Sequence, residues 1–238
     1  MPKAGCHSRQ LDMACTLTAP IGFAVIDKPA GITSHTCVAR IRRVLGIRRV
    51  GHGGTLDAFA EGVLMIGTNI DTKKLFNISR CNKTYTATIK LGIHTDSFDR
   101  DGKILKTNEV PILSKLKIKS VLQSFIGPYE HLPPMYSAKK KNGVRLYNYA
   151  RNNIVVKREP IKTQIEEINF ISFDKERIKF SVKCSSGTYI RSLAVDISKK
   201  LMTIGHLVEL IRTEVGEFSI NDSLSLKKFE ESWKFIKT

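Results

Sequence analysis

The stretch 51-GHGGTLDAFAEGVL-64 places a single aspartate, Asp57, between a glycine-rich turn and an apolar run. Glycine reaches backbone conformations that are closed to other residues, so this turn can present the Asp57 carboxylate at a tight bend facing a cleft. The apolar residues GVLMIG that follow predict a segment that anchors the bend to the core. Aspartate is also common in turns, because its side chain accepts hydrogen bonds from nearby backbone amides. The stretch alone leaves both a structural and a catalytic role open for Asp57.

Upstream of the bend, the sequence predicts a short strand followed by a basic helix. The strand covers residues 23–26 and is ended by Pro29. Ser34 is the predicted N-cap of the helix HTCVARIRRVLG, which Gly46 ends. This region has no acid between residues 38 and 50 and forms either a solvent-exposed face or a phosphate-contacting edge through its arginines, which are Arg40, Arg42, Arg43, Arg48 and Arg49.

Downstream of the bend, strands and helices mix without a regular alternation. TYTATIKLG and RIKFSVKCS alternate apolar and polar residues, which predicts half-buried strands, and IGHLVELIRTEVGEF is also strand-like. GTYIRSLAVDISKKL and LKKFEESWKFI have the helical period. SKLKIKSVLQSFIG predicts a further helix with an inward face of Leu116, Val121, Leu122 and Phe125. These elements predict an α+β domain on a mixed, largely antiparallel central sheet flanked by helices.

The composition indicates a polyanionic partner. Lys and Arg number 39 against 22 Asp and Glu, a formal net charge of +17, which favours nucleic acid over an anionic membrane. No apolar stretch approaches the roughly 18 residues of a membrane span. The five cysteines are scattered and contain no CxxC pair, as expected for reduced thiols in a cytoplasmic protein. Residues 1–20 contain no apolar core of a signal peptide, and we expect a flexible extension there, before one domain over residues 21–238.

One basic segment, residues 126–163, is the best candidate for gripping RNA. It has eight cations against the two anions Glu130 and Glu159. Its tyrosines could offer stacking surfaces to bases while the cations contact phosphates. An exposed basic helix with tyrosines in the core is an equally good interpretation of the residues alone. The tyrosines are Tyr129, Tyr136, Tyr147 and Tyr149.

Several kinds of chemistry lack their motifs. The six histidines are isolated and no ligand cluster has metal-binding spacing, so we expect no metal. The glycine-rich stretch lacks the GK[ST] ending of a P-loop, and neither GxGxxG after a strand nor a GxSxG elbow is present. What remains is one acid in a glycine-shaped loop, with its candidate partners far away in the sequence.

Six separated stretches, taken in order, resemble the TruB-type tRNA pseudouridine synthases. They are DKPAGITS (27–34), GHGGTLDAFAEGVL (51–64), KTYTATIKLGIHTDSFDRDGKI (83–104), PPMYSAKKKNGVRLYNYAR (133–151), CSSGTYIRSLAVDI (184–197) and HLVELIRTEVGEF (206–218). The resemblance covers about residues 21–218. It implies the pseudouridine synthase fold and, for the basic segment, an RNA-gripping insertion.

The resemblance also implies a function and a set of site residues. Uridine 55 in the T loop of tRNA would be flipped out and isomerised without a cofactor by a monomer acting in the cytoplasm. Asp57 would be the nucleophile, Tyr85 would stack on the base and transfer protons, and Arg191 would pair with the nucleophile. Further contacts to the substrate are expected from His52 in the space left by the flipped nucleotide, from Leu207 in the apolar wall, and from Tyr189, Lys28, Arg48, Lys140, Arg145, Arg151 and Arg158.

The chain also departs from the family pattern. Ala58 replaces the usual proline after the nucleophile, which is expected to loosen the turn slightly. Ile211 stands where a second arginine is common, which removes one possible RNA contact. About twenty residues follow Phe218, too few for the C-terminal PUA domain of many bacterial members, so weaker RNA affinity or greater reliance on the basic segment is expected. A non-catalytic protein that binds or folds tRNA on the same scaffold is the alternative.

Overall fold

The computed structural model describes residues 22–236, with side chains described up to residue 232. The predicted flexible extension, residues 1–20, lies outside the described residues. The helices are α1 (Ser34–Leu45), α2 (Leu75–Arg80), α3 (Lys115–Gln123), α4 (Leu146–Arg151), α5 (Ile190–Lys200) and α6 (Leu226–Ile236). The strands are β1 (Gly22–Lys28), β2 (Val50–His52), β3 (Glu61–Thr68), β4 (Lys83–Leu91), β5 (Ile93–Thr95), β6 (Ile104–Thr107), β7 (Gly127–His131), β8 (Lys140–Lys141), β9 (Val144–Arg145), β10 (Ile161–Asp174), β11 (Arg177–Cys184), β12 (Gly205–Val215), β13 (Phe218–Ser219) and β14 (Leu224–Ser225).

One ten-stranded sheet organises the fold. Its main path runs β14-β1-β3-β12-β4-β11-β10-β7, with β2 paired to β3 and β13 paired to β12. The pairs β1–β14 and β3–β12 are parallel, and the other pairs of this sheet are antiparallel. The prediction of a mixed, largely antiparallel sheet flanked by helices is confirmed. No helix among residues 22–236 is long and apolar enough to cross a membrane.

The largest hydrophobic core packs against one face of β4, a strand in the middle of the sheet. As the alternation predicted, Tyr85, Ala87, Ile89 and Leu91 are buried on one face of this strand. Helix α5 covers that face, and its buried residues include Ile190, Leu193, Ala194 and Ile197. The largest core therefore joins two segments about one hundred residues apart in the sequence, and both carry predicted site residues.

Two local predictions were wrong. Leu116 was expected on the inward face of α3, but its side chain is 80% exposed, because Ile118, Val121 and Leu122 form the buried stripe. Ser34 was expected to cap α1, but the cap is Thr33, whose hydroxyl accepts a hydrogen bond from the Thr36 amide. The predicted end of α1 is confirmed, since Gly46 has the left-handed backbone conformation.

The basic segment is divided between the sheet and a projecting part. Its two ends are strand β7 and the start of β10, which pair with each other in the large sheet. Apart from Ile126, only residues 132–160, which contain the β8–β9 hairpin and α4, lie outside that sheet. Tyr129 of β7 is buried in the core and donates its hydroxyl to Asp196, so it offers no stacking surface to RNA. We call residues 132–160 the projecting segment.

Candidate active site

The bend that carries Asp57 lies between β2 and β3 and is held by hydrogen bonds on both sides of the aspartate. The Ser34 hydroxyl accepts from the Leu56 amide and lies 2.9 Å from the Leu56 carbonyl oxygen. The Ala58 carbonyl accepts from the Gly31 amide at 2.9 Å and from the Lys28 ammonium at 3.3 Å. The backbone on either side of Asp57 is therefore fixed, although the bend has no regular secondary structure.

Arg191, in the first turn of α5, forms an ion pair with Asp57. Its Nη2 donates to Asp57 Oδ1 at 2.9 Å, and its Nε lies 2.9 Å from Asp57 Oδ2. The same guanidinium reaches the Asp99 carboxylate at 3.2 Å and the backbone carbonyls of Ser97 and Tyr136 at 2.9 and 2.8 Å. Arg191 is buried, whereas the Asp57 side chain is 35% exposed. The arginine is thus a fixed part of the fold, and the open side of the pair is the carboxylate.

Asp57 lines a cavity of about 290 Å³. Tyr85 and Arg191 line the same cavity, so the structure brings together the three residues for which the sequence predicted catalytic roles. Burial raises the pKa of Tyr85 above its usual range, so its hydroxyl keeps its proton at neutral pH. Tyr189 and Leu56 contribute apolar wall, and the other lining residues are Gly54, Thr55, Ser79, Lys83, Ser137, Ala138, Ser185, Ser186, Gly187, Thr188, Ile190, Leu210 and Arg212.

Arg212 is a site residue that the sequence reasoning missed. It is buried on β12, directly opposite Tyr85 on β4, and its positive charge partly offsets the rise that burial causes in the pKa of Tyr85. Its Nε and Nη2 donate to the carbonyls of Val63 at 2.8 Å and Gly54 at 3.1 Å. Simple alternation from the predicted wall residue Leu207 would put Arg212 on the opposite face, and only the pairing of β12 with β4 brings Arg212 to Tyr85.

Glycine at position 62 makes the close approach of β3 to β12 possible. Gly62 has φ of +100°, and a Cβ there would lie 2.2 Å from the Arg212 carbonyl oxygen. Only a residue without a side chain fits this contact, and only glycine adopts this φ readily. Gly62, in the apolar run after Asp57, thus helps to position Arg212 as well as the Asp57 bend.

Leu207 is not part of the cavity wall, which corrects a sequence prediction. The Leu207 side chain is fully buried in the core. Leu207 pairs with Ile89 of β4. Ile89 is four residues from Tyr85, which is about 13 Å at the rise of a strand. The leucine of β12 that lines the cavity is Leu210, the second leucine of HLVEL. A bulge between Leu207 and Glu209 keeps both leucines on one face, so alternation could not distinguish them.

Lys28 was expected to contact RNA, and this prediction was also wrong. The side chain is fully buried, and its ammonium donates to the carbonyls of Pro29 and Ile32, each at 2.8 Å, as well as to that of Ala58. Burial lowers the pKa of Lys28 to about 8. All three acceptors belong to the two loops that meet behind Asp57, so Lys28 fixes the bend and does not reach the substrate.

The remaining predicted contacts lie at or beyond the cavity. Tyr189 lines it, whereas His52 at the end of β2 does not, and burial together with Arg212 lowers the pKa of His52. Arg48, Lys140, Arg145 and Arg151 are exposed. The guanidinium groups of Arg145 and Arg151 both lie over the Tyr147 ring, at 5.9 and 5.3 Å from its centroid. Arg158 is half-buried and donates to the Pro133 carbonyl at 2.9 Å, which gives it a structural role in the projecting segment.

The arrangement suits nucleophilic chemistry on a planar ligand. It combines one carboxylate, a fixed arginine, a buried tyrosine and apolar walls. A carboxylate held in this way can attack an electrophilic carbon, and the aromatic ring offers a face to a base. Among residues 22–232, no group of three or more His, Cys, Asp or Glu side chains is arranged to hold a metal ion.

The sequence and the fold of this chain both match those of known proteins. Residues 42–190 match the family described as TruB family pseudouridylate synthase (N terminal domain). Among solved structures, the Cbf5 complex with Nop10 and Gar1 matches with a TM-score of 0.73 and 28% sequence identity over 91% of this chain. The archaeal box H/ACA Nop10–Cbf5 complex matches with a TM-score of 0.69 and 25% identity over 97% of this chain. The chain spans 56% and 58% of these two solved chains.

Curated relatives match over most of the chain. A protein named tRNA pseudouridine synthase B from Caldanaerobacter subterraneus is 43% identical over 211 residues, which cover 88% of this chain and 74% of the relative. A protein of the same name from Ureaplasma urealyticum is 38% identical over 215 residues, covering 89% of this chain and 93% of the relative. Matches of this length leave only about a tenth of this chain uncovered, so they include the bend, β4 and α5, which carry Asp57, Tyr85 and Arg191. The chain therefore belongs to the TruB family of pseudouridylate synthases.

Proposed function

We propose that this chain isomerises uridine 55 in the T loop of tRNA to pseudouridine, with Asp57 as the nucleophile. The observation that carries the proposal is the Asp57–Arg191 pair in a cavity that also contains Tyr85. The tRNA substrate is supported by the name of the relatives, tRNA pseudouridine synthase B. The T-loop position is supported by the ordered family motifs. We further propose that the chain acts as a monomer in the cytoplasm.

The reaction needs little more than the groups in this cavity. The N1–C1′ bond of uridine breaks, the base turns, and a C5–C1′ bond forms, while C5 loses a proton and N1 gains one. Asp57 would attack either the ribose C1′ or the pyrimidine ring. Arg191 holds the carboxylate in one orientation, and Tyr85 offers its ring to the base and its hydroxyl to proton transfer.

The projecting segment is the proposed RNA grip. Its exposed cations Lys140, Arg145 and Arg151 are suited to phosphate contacts, and the two arginines lie over the Tyr147 ring. Ser137 and Ala138 of the same segment line the cavity, so RNA held there would reach the Asp57 bend. Recognition would rest on the shape and phosphates of the T arm rather than on its base sequence.

Tritium release tests the proposal directly. A tRNA transcript labelled with tritium at uracil C5 should release the label into water over multiple turnovers, and a transcript with cytidine at position 55 should release no more than background. Asp57→Asn should abolish release while tRNA binding stays within a few-fold. The control is Asp174→Asn, at an exposed aspartate at the end of β10, which should leave release unchanged.

Each contrary result has a distinct meaning. Tight binding by the wild-type protein with no release, even at high protein concentration, would support a tRNA-binding or tRNA-folding protein instead. Release by Asp57→Asn at the wild-type rate would remove Asp57 as the nucleophile. Release from the cytidine-55 transcript would move the modified position elsewhere in the tRNA.

A further inference from the structure

We propose that Lys83 and Arg212 form a positively charged cavity wall that stabilises the negative charge on uracil while the base is detached from its ribose. The inference rests on the proposed function, since it concerns the same uridine in the same cavity. Arg191 has two carboxylate partners, so its charge is balanced within the fold. Lys83 and Arg212 differ from Arg191, because neither forms an ion pair with a carboxylate among residues 22–232.

The two cations belong to the same surface as Tyr85. Lys83 and Tyr85 lie two residues apart on one face of β4, and Arg212 is opposite Tyr85 on β12. All three line the cavity that contains Asp57. A base stacked on Tyr85 would therefore have the carboxylate and the two cations around it in one enclosure.

Neither cation has a counter-ion in the described part of the chain. The Lys83 ammonium donates only to the backbone carbonyls of Ser79 and Cys81. The Arg212 guanidinium donates to two backbone carbonyls, and none of the ion pairs among residues 22–232 includes either residue. Their side chains are 6% and 1% exposed. Two buried charges without a carboxylate partner are costly to keep unless the bound ligand supplies negative charge.

The isomerisation supplies that charge at one stage. When the N1–C1′ bond breaks, its electron pair leaves with the base, and the ring spreads the negative charge over its carbonyl oxygens. The charge disappears when C5 forms its bond to C1′, the C5 proton leaves and N1 is protonated. Addition of the carboxylate to the ring also places negative charge on these oxygens. A fixed cationic wall therefore stabilises the reacting base more than neutral uridine, which accelerates the reaction.

An RNA phosphate is a less suitable partner for Lys83 and Arg212 than the base is. A flipped nucleotide enters a cavity with its base first, and its phosphates stay at the mouth. Lys83 and Arg212 are almost completely buried, whereas the exposed cations suited to phosphate lie on the projecting segment. The depth of the two cations therefore favours the base as their partner.

The protonation state of Lys83 gives the test. Burial, assisted by the nearby Arg212 charge, lowers the pKa of Lys83 to about 8. The other titratable groups that act on it are the thiols of Cys81 and Cys184, and burial raises the pKa of Cys184 to about 11. Lys83 is charged below about pH 8 and neutral above it, so catalysis should decline as the pH rises through that value.

The experiment uses the labelled tRNA on the full chain. Lys83→Met removes the charge and should slow single-turnover release at saturating protein at least tenfold, with tRNA binding within twofold. Lys83→Arg should keep the rate within about threefold of wild type and abolish the decline in kcat/KM near pH 8. The matched control is Lys90→Met, on the opposite face of β4, which should change neither the rate nor its pH profile.

Three outcomes would overturn the inference. They are a wild-type kcat/KM that does not decline between pH 7 and 9, a decline that persists in Lys83→Arg, or a Lys83→Met protein that binds tRNA weakly but reacts at the wild-type rate. Lys83→Arg keeps the inference testable if Lys83→Met fails to fold, because loss of the decline in that variant assigns it to Lys83 and not to Lys28, whose pKa is also about 8. Failure of the proposed function would be recognised separately, because the wild-type protein would then release no tritium at any pH.

Discussion

The carboxylate of Asp57 and the guanidinium of Arg191 are 134 positions apart in the sequence and 2.9 Å apart in the fold. The same guanidinium lies 3.2 Å from the carboxylate of Asp99, in the loop after β5. One buried cation therefore connects the bend after β2, the loop after β5 and the start of α5. A mutation that breaks this network should therefore affect both the stability of the fold and the position of Asp57 in the cavity.

Replacing the shared cation should destabilise the protein. Arg191→Met leaves the buried Asp99 carboxylate without its cation, with only the Ser97 hydroxyl and the Asp101 amide as donors, so we expect the free energy of unfolding in urea to fall by about 3 kcal/mol. Asp99→Asn in the same background should recover part of the loss, because it removes the unpaired charge. A double-mutant cycle should give a coupling energy of about 1–3 kcal/mol. Additive losses would mean that the Arg191–Asp99 contact carries no net energy.

Ser34 should influence the reaction although it does not line the cavity. Its hydroxyl holds the backbone of Leu56, the residue before Asp57. Ser34→Ala leaves buried backbone groups without this partner, which should cost about 1–2 kcal/mol of stability and slow single-turnover release several-fold. Thr36→Ala, at an exposed position of the same helix, is the control and should leave the release rate unchanged. Equal rates in both variants would show that the bend does not need this anchor.

Much of the fold could be predicted because its elements follow simple periods. The alternation in β4 and the helical period in α5 depend on burial of one face, which is a local property of the sequence. Leu116 was misplaced because four apolar residues of α3 could define two overlapping stripes, and only packing against the sheet selects one. The cap of α1 was assigned one residue late because Thr33 and Ser34 are both good N-cap residues.

The site was harder to predict, because register and burial are not local. Leu207 and Leu210 have the same residue type in the same strand, and a bulge decides how far each lies from Tyr85. Lys28 carries a charge, which usually indicates an exposed side chain, yet three backbone carbonyls surround it. Arg212 was overlooked because its partner Tyr85 is 127 positions earlier and only the β4–β12 register brings them together.

Gly62 should tolerate no side chain. A Cβ at this position would lie 2.2 Å from the Arg212 carbonyl oxygen, and φ is +100°. Gly62→Ala should therefore lower the free energy of unfolding by more than about 3 kcal/mol or prevent folding. Gly127→Ala is the matched control, since its φ is +111° and a Cβ there would meet no atom within 4 Å. The control should lose only the backbone strain, about 1–2 kcal/mol, and equal losses would exclude the steric explanation.

Charge reversal on the projecting segment should weaken tRNA binding. Lys140→Glu combined with Arg151→Glu removes two exposed cations, so the slope of log binding constant against log salt should become shallower by about 2. The control pair is Lys106→Glu with Lys117→Glu, on exposed positions of β6 and α3. Arg158 is a poorer choice, because its contact with Pro133 links it to folding. Equal weakening by both pairs would indicate a diffuse electrostatic attraction rather than a grip.

His131 should make the fold sensitive to acid. Its ring is buried against Tyr129, its Nε2 accepts a hydrogen bond from the Tyr189 amide, and burial lowers its pKa from 6.5 to about 4. The unfolded chain therefore binds a proton between pH 6.5 and 4 that the folded chain does not, so stability decreases as the pH falls through this window. Between pH 7 and 4.5, this group should account for a loss of about 2 kcal/mol. His131→Gln keeps an acceptor for the Tyr189 amide but does not titrate. Between pH 7 and 4.5, the free energy of unfolding in urea should therefore fall by about 2 kcal/mol less in His131→Gln than in the wild-type protein. Parallel pH profiles for the two proteins would show that the buried imidazole is not the cause.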